Sequence, residues 1–282
     1  MVDGPSTVID RRGFLRLALA GMAAAGTASL ARSGWRQAQD LRVERIELRL
    51  DGLTHALRVA FAADLHFGPY ADGERIAHWV AAILATRPDV IVLGGDVVDR
   101  RAPADLGPLF EALADLRAVG GVYLVLGNHE YRRFTRPRGF LEDLRGIGLT
   151  PLVNAGSTVP GGLFLAGVDD YRHGRPNLDL SLAARPVGAP TLLVSHNPDL
   201  LPSVPHTVDL TLCGHTHGGQ VRLPVIGPLI TSSAHGRRFA SGWVDAPARA
   251  YVSRGIGVGL VPVRWNCSPE LTLLTLRPRV AA

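Results

Sequence analysis

The sequence predicts an α/β protein: a four-layer α/β/β/α sandwich of two mixed sheets in a single domain. Three observations carry this. In the first half, apolar strand-like runs alternate with helical patterns; in the second, short strands follow one another with few helices; and each apolar strand stops at a metal-capable side chain. The first pattern predicts βαβ units and a buried, largely parallel half-sheet. The second calls for another sheet, partly antiparallel, packed on the first with helices outside. With 282 residues, 46% hydrophobic and 20% charged, the chain has ample material for one large α/β core.

In chain order, residues 1–31 read as an export signal. Arg11 and Arg12 are followed by Phe14 and Leu15, then by an acid-free apolar stretch ending in small residues near Ala28 and Ala31. That is the charged, apolar, small-residue order of a secretory leader. The paired arginines resemble the twin-arginine signal, whose substrates cross the membrane folded. Leu17 to Ala31 gives 15 uncharged residues, short of the ~20 a spanning helix needs, so cleavage is favoured over an anchor. Residues 32–41 read as a linker and residues 42–282 as the domain.

RVERIELRL, residues 42–50, alternates polar and apolar; Asp51 and Gly52 supply a turn; ALRVAFAAD runs apolar into Asp64. Together these predict a β-hairpin. Helical patterns near 73–86, 104–118 and 138–146 alternate with DVIVLGGD and VYLVLGN. Beyond them, LTPLVN, LFLAGVD, TLLVSH, DLTLCGH, AYVSRGIG and ELTLLTL read as short strands of the second half.

Composition narrows the function. The formal charge is +5 and every basic residue is arginine, yet no run forms a basic stripe, so no nucleic acid is expected. The charge suits an anionic substrate or surface without requiring either. Cys213 and Cys267 are too few for a disulfide scaffold and wrongly spaced for a structural zinc cluster. Both lie in strand-like runs and read as small buried hydrophobes, although a single bridge between them is open.

The strand ends carry the chemistry. VAFAAD ends in Asp64, followed by His66; VIVLGGD in Asp96; YLVLGN in Asn128, then His129; LLVSH in His196; LTLCGHTH in His215 and His217. Asp64 to Asp96 is 32 residues and Asp96 to Asn128 is 32 again, one βαβ step each. Equal steps place these residues at the carboxyl edge of neighbouring strands, where open α/β sheets bind ligands. Carboxylates mixed with imidazoles suit Mn, Fe or Zn better than Mg. Two such metals ~3.5–4 Å apart, bridged by one carboxylate, would activate a shared water for in-line attack. Gly214, Gly218 and Gly219 keep the backbone tight around both histidines.

D-x-H (Asp64, His66), G-D-x-x-D (Gly95, Asp96, Asp99), G-N-H-E (Gly127 to Glu130), His196 and G-H-x-H (Gly214 to His217), in this order, resemble the calcineurin-like metallophosphoesterases over about residues 56–220. SHNPD, GHTHGGQV, VSRGIG and SPELTLLTL are similar to the exported bacterial branch of that superfamily. The resemblance implies a single metallophosphoesterase domain with two divalent metal ions. One would be held by Asp64, His66, Asp96 and His217, the other by Asp96, Asn128, His196 and His215, with Asp96 as the bridge. It implies that His129 faces the leaving oxygen, as general acid or transition-state donor, and that Asp99 orients its ring. Asn128 would also meet substrate, and Arg100 stands where protein phosphatases of the superfamily carry a phosphate-binding arginine. Glu130 is expected to make a structural hydrogen bond. Asp169, Asp170, Tyr171, His173 and Arg175 read as a solvated polar loop, with lining of the substrate cleft as the alternative. His55, His78, His206, His235, Trp243 and Trp265 read as surface or packing residues.

The expectation is a metal-dependent phosphoesterase of the bacterial cell envelope, hydrolysing a phosphodiester, pyrophosphate or phosphomonoester by a metal-bridging hydroxide. Its substrate would be a phosphate-ester small molecule or a lipid-linked or nucleotide-sugar pyrophosphate. The twin-arginine machinery is the expected export partner, and the periplasm or outer envelope the expected location, with which peripheral membrane association is compatible. A two-metal amidase or peptidase acting on cell-wall material is a second reading, opposed by Asn128 as ligand and by His129 beside the site. A non-catalytic metal-binding envelope protein is a third.

Overall fold

The computed structural model describes residues 29–279, so the signal reading falls almost wholly outside it. Where the sequence reads a linker, residues 29–37 are helical (α1). This helix is tied to the domain: the Gly34 carbonyl accepts the Arg264 N–H and the Gln37 side chain accepts the Asn266 N–H.

The first sheet holds, in spatial order, β1 (Arg42–Leu50), β14 (Glu270–Pro278), β2 (Leu57–Ala62), β3 (Val90–Leu93), β4 (Val122–Leu124) and β5 (Thr150–Pro151). Strands β2, β3 and β4 are parallel, and α2 (Gly73–Ala85) and α3 (Gly107–Leu113) lie in the crossovers. Asp72 starts α2 by accepting the Arg75 N–H, and Ile76, Trp79, Val80 and Ile83 form its buried face. Helix α3 is shorter than the 104–118 pattern: Asp105 accepts the Gly107 N–H, and only one buried stripe, Leu109, Ala112 and Leu113, follows. Helix α5 (Arg138–Gly146) lies where expected.

The predicted hairpin does not form. β14 inserts between β1 and β2, parallel to the former and antiparallel to the latter. The residues of ELTLLTL are buried on both faces with one exception, Thr275, so this strand belongs inside a sheet, and it joins the first sheet, not the second. β1 buries only Ile46 and Leu50 and turns Arg45, Glu47 and Arg49 outward, a composition suited to an edge.

The second sheet runs β12 (Gly242–Val244), β13 (Ala250–Val252), β9 (Leu210–Cys213), β8 (Thr191–Val194), β7 (Phe164–Gly167) and β6 (Ala155–Thr158). Its inner pairs are parallel and its two edge pairs antiparallel. Alternation along the strands makes three cores. Val59 and Phe61 meet Leu165, Leu192, Val194 and Leu212 between the sheets, whereas Ala60 and Ala62 face the helices. Ala166 and Leu193 point to the far side, against Leu200, Leu201 and Phe239. That fourth layer is thin, made of α6 (Leu178–Leu182) and short 3₁₀ segments at Pro198–Ser203 and Gly236–Phe239. Burying each large apolar side chain contributes about 1.5–3 kcal/mol, which anchors the strand ends that bear the site. Among the described residues no helix is long and apolar enough to cross a membrane.

Candidate metal centre

The turns beyond β2, β3, β4, β8 and β9 bring Asp64, His66, Asp96, Asn128, His196, His215 and His217 to one rim; Asn128 opens α4 (Asn128–Arg133). Asp64, His66, Asp96, His215 and His217 all have left-handed backbones, with φ between 50° and 72°. Such conformations cost non-glycine residues about 1–3 kcal/mol each and persist only where the surroundings over-determine them. Here backbone bonds do so. The Asp64 N–H donates to the Gly95 carbonyl and the His66 N–H to Asp96, both at 2.9 Å, and the Gly214 N–H donates to His196 at 3.0 Å. Glycine is required where the turns touch: a side chain on Gly127 would run into the Asp96 carboxylate, and one on Gly214 would come within 2.7 Å of Asp64 Oδ2.

The side chains form two triads. Asp64, His66 and His217 gather one ligand atom each within 4.8 Å, and so do Asp96, His196 and His215. His66 Nε2 and His217 Nε2 stand 3.0 Å apart, and the latter is 3.7 Å from Asp64 Oδ1. His196 Nε2 is 3.2 Å from Asp96 Oδ2 and 3.2 Å from His215 Nδ1. Asp96 Oδ2 is also 3.7 Å from His66 Nε2, so one oxygen lies between the triads. Asn128 Oδ1 and His215 Nε2 are buried without a protein partner.

These features fit two divalent cations. The buried Asn128 Oδ1 has no protein partner, and an unpaired buried acceptor costs about 1–3 kcal/mol. A cation at the second triad would satisfy it, and the N/O donor set of both triads suits a borderline transition metal.

The electrostatics are uneven. Burial pushes the Asp64 carboxyl up. Burial acts the same way on Asp96, but His196, His66 and His129 outweigh it and hold that carboxyl well below the usual range. Burial opposes charge on His66 and His196 too, yet Asp99 raises the first, and Asp96 and Asp64 raise the second well above an ordinary imidazole. Burial and His196 push His215 down to about 3, and burial and His66 push His217 well down.

His129 sits beside the triads at the rim. Its backbone N–H donates to Asp96 Oδ1 at 2.7 Å. Its Nδ1 is 3.4 Å from Asp99 Oδ2 and 3.2 Å from the Arg100 N–H. A protonated Nδ1 meets the carboxylate, and an unprotonated one accepts from Arg100. Asp99 does more than the sequence predicts: its Oδ2 also lies 3.5 Å from His66 Nδ1, and it binds Arg101 through the backbone N–H and the guanidinium. Glu130 is structural as expected, its buried carboxylate accepting the N–H groups of Gly127, Asp96 and Val98.

Asp169 and Asp170 are not solvated. Asp169 accepts the Tyr131 hydroxyl at 2.6 Å and Asp170 the N–H groups of Arg172 and His173, so these acids fold the loop from within. Cys213 and Cys267 are buried free thiols. Arg264 has no signal in the sequence. Fully buried, its guanidinium donates to the carbonyls of Gly257, Arg254 and Gly255 and stands 3.4 Å from His217 Nδ1. A cleft of about 500 Å³ opens over the site, with Arg100, Arg101, Arg132 and Arg172 among its lining residues.

The family model for calcineurin-like phosphoesterases matches residues 57–219. The chain belongs to the calcineurin-like phosphoesterases. It is 30% identical over 279 residues to the phosphodiesterase YaeI of Escherichia coli, covering 95% of this chain and 100% of that one. It is 29% identical to the metallophosphoesterase YkuE of Bacillus subtilis, covering 95% and 98%. A Helicobacter pylori metallophosphoesterase is 30% identical over 84% of this chain, which spans 64% of that relative's length.

Proposed function

We propose that this protein hydrolyses a phosphodiester, pyrophosphate or phosphomonoester with two divalent cations, outside the cytoplasm after twin-arginine export. The observation that carries the hydrolytic reading is the single Asp96 oxygen set between two triads, with the unpartnered Asn128 oxygen beside them. Asp64, His66, Asp96 and His217 would hold one ion, and Asp96, Asn128, His196 and His215 the other. The ions, Mn, Fe or Zn, would supply Lewis acidity and a water of lowered pKa.

The chain's own groups do the rest. His129 is held at Nδ1 by Asp99 when that nitrogen is protonated and by the Arg100 N–H when it is not. It presents Nε2 to the leaving oxygen, and as the imidazolium or as the tautomer that accepts from Arg100 it carries the proton needed there as the phosphorus–oxygen bond breaks. Asn128 and Arg100 orient the phosphoryl oxygens. Glu130 fixes the turns that carry Asp96 and Asn128 by bonding the backbone on both. The location rests on Arg11 and Arg12, the acid-free stretch after them and the small residues that close it.

Elemental analysis of the purified protein with a chromogenic phosphodiester assay tests the reading. About two transition-metal ions per chain are expected, and Asp96→Asn should lower hydrolysis roughly a thousandfold, the equivalent of several kcal/mol of lost metal polarisation. Undiminished hydrolysis by metal-loaded Asp96→Asn would overturn it.

A further inference from the structure

The cleft over the metal centre is lined by two unlike sets of side chains. Arg100, Arg101, Arg132 and Arg172 are cationic, and Asp96 is the only carboxylate among the lining residues. Leu229, Ile230, Leu260 and Val261 are aliphatic, each of them about half exposed or more. A small polar phosphate ester has no use for the second set. An amphiphile does, with its phosphate on the arginines and its hydrocarbon on the leucines.

The aliphatic set continues along the chain into a hairpin, β10 (Arg222–Leu223) and β11 (Gly227–Pro228). At its tip Val225 and Ile226 face solvent, Val225 completely. Val225 has φ +65°, a left-handed backbone that a β-branched side chain enters only under strain and that glycine would adopt freely. Among the described residues no packing repays this placement. A bare aliphatic tip held in a strained turn, continuous with an aliphatic lining and bordered by arginines, matches a bilayer with anionic headgroups.

The geometry points to docking of this rim on a phospholipid surface: the 224–226 tip and the Leu260–Val261 loop enter the bilayer, and the substrate is a membrane-held amphiphilic phosphate ester that slides along the aliphatic side chains. This rests on the hydrolytic reading above for the reaction, in which water adds to phosphorus and the alcohol leaves; the docking stands without it.

The full chain allows a direct test, because both native cysteines are buried and a new surface cysteine labels alone. An environment-sensitive fluorophore on Val225→Cys should brighten and shift to the blue with phosphatidylglycerol vesicles. The same label on Val187→Cys, exposed just before the amino end of β8, should not. The double variant Val225→Ser/Ile226→Ser should hydrolyse vesicle-bound hexadecyl nitrophenyl phosphate about tenfold more slowly or worse, as expected when two aliphatic side chains leave the bilayer. It should hydrolyse soluble methyl nitrophenyl phosphate like the parent. Val225→Gly, which relieves the turn, should keep or raise Tm and still lose vesicle-bound turnover. A silent label on vesicles, equal treatment of both esters by the double variant, or label brightening without vesicles together with a dimer in sedimentation would each overturn the docking. Failure of the metal-loaded parent to hydrolyse the methyl ester would overturn the hydrolytic reading instead, leaving the label to decide the docking.

Discussion

The rings of the triad formed by Asp64, His66 and His217 lean on charged side chains: Asp99 behind His66, Arg264 behind His217. In the triad of Asp96, His196 and His215 the support is backbone. His196 Nδ1 donates to the Gly94 carbonyl at 2.8 Å, and His215 leaves Nε2 without a partner. A carboxylate behind an imidazole raises its basicity as well as fixing its angle. A carbonyl fixes the angle alone, and no side-chain substitution can remove it. One half of the centre is therefore tunable by mutation at a distance, and the other is built into the sheet.

The strongest way to break this comparison lies outside both triads. His129→Ala should lower kcat by about 10²–10⁴, the range for loss of a positioned proton donor, while metal content stays at two. Loss of metal in that variant would mean that His129 serves a triad. Next in size, Asp99→Asn should weaken one of two metal-binding events by about 10–100-fold and leave the other unchanged, read by calorimetric titration of the apoprotein; equal weakening of both would erase the asymmetry. Acidification should loosen both. His66 and His196 are raised above an ordinary imidazole, so their protons must leave before an ion binds, and affinity should fall as pH drops through those raised values. Proton release on binding, measured in buffers of different ionisation enthalpy, checks the sign. The smallest effect is on stability. Glu130→Gln sets an amide NH₂ against backbone donors and should cost about 1–3 kcal/mol, seen as a lowered Tm with two metals still bound.

The sequence made the rim legible because each candidate residue follows an apolar run, and the two steps of 32 residues place three of them on adjacent strands. The elements around the site were harder to read. The hairpin reading failed because alternation in β1 shows that it is half-buried, not which strand it pairs with, and the better partner was the doubly buried β14. Asp99 could be assigned to His129 by resemblance, but its contact with His66 depends on how the loop after Asp96 returns. Arg264 lies far along the chain from His217, in a stretch with no pattern, and only the folded chain brings them together. The buried acids Asp169 and Asp170 looked like solvent-facing charge because composition cannot show that a loop folds around its own carboxylates.

The central place of β14 also bears on how the chain is made. Arg42 pairs with Glu270, and Val59 with Leu274, so two strands synthesised early wait for one synthesised late. Until residue 270 leaves the ribosome, β1 and β2 present bare edges, and such long-range closure is slow and exposed to aggregation. The turn after β2, which carries Asp64 and His66, therefore sits on a sheet that closes only once β14 has been made.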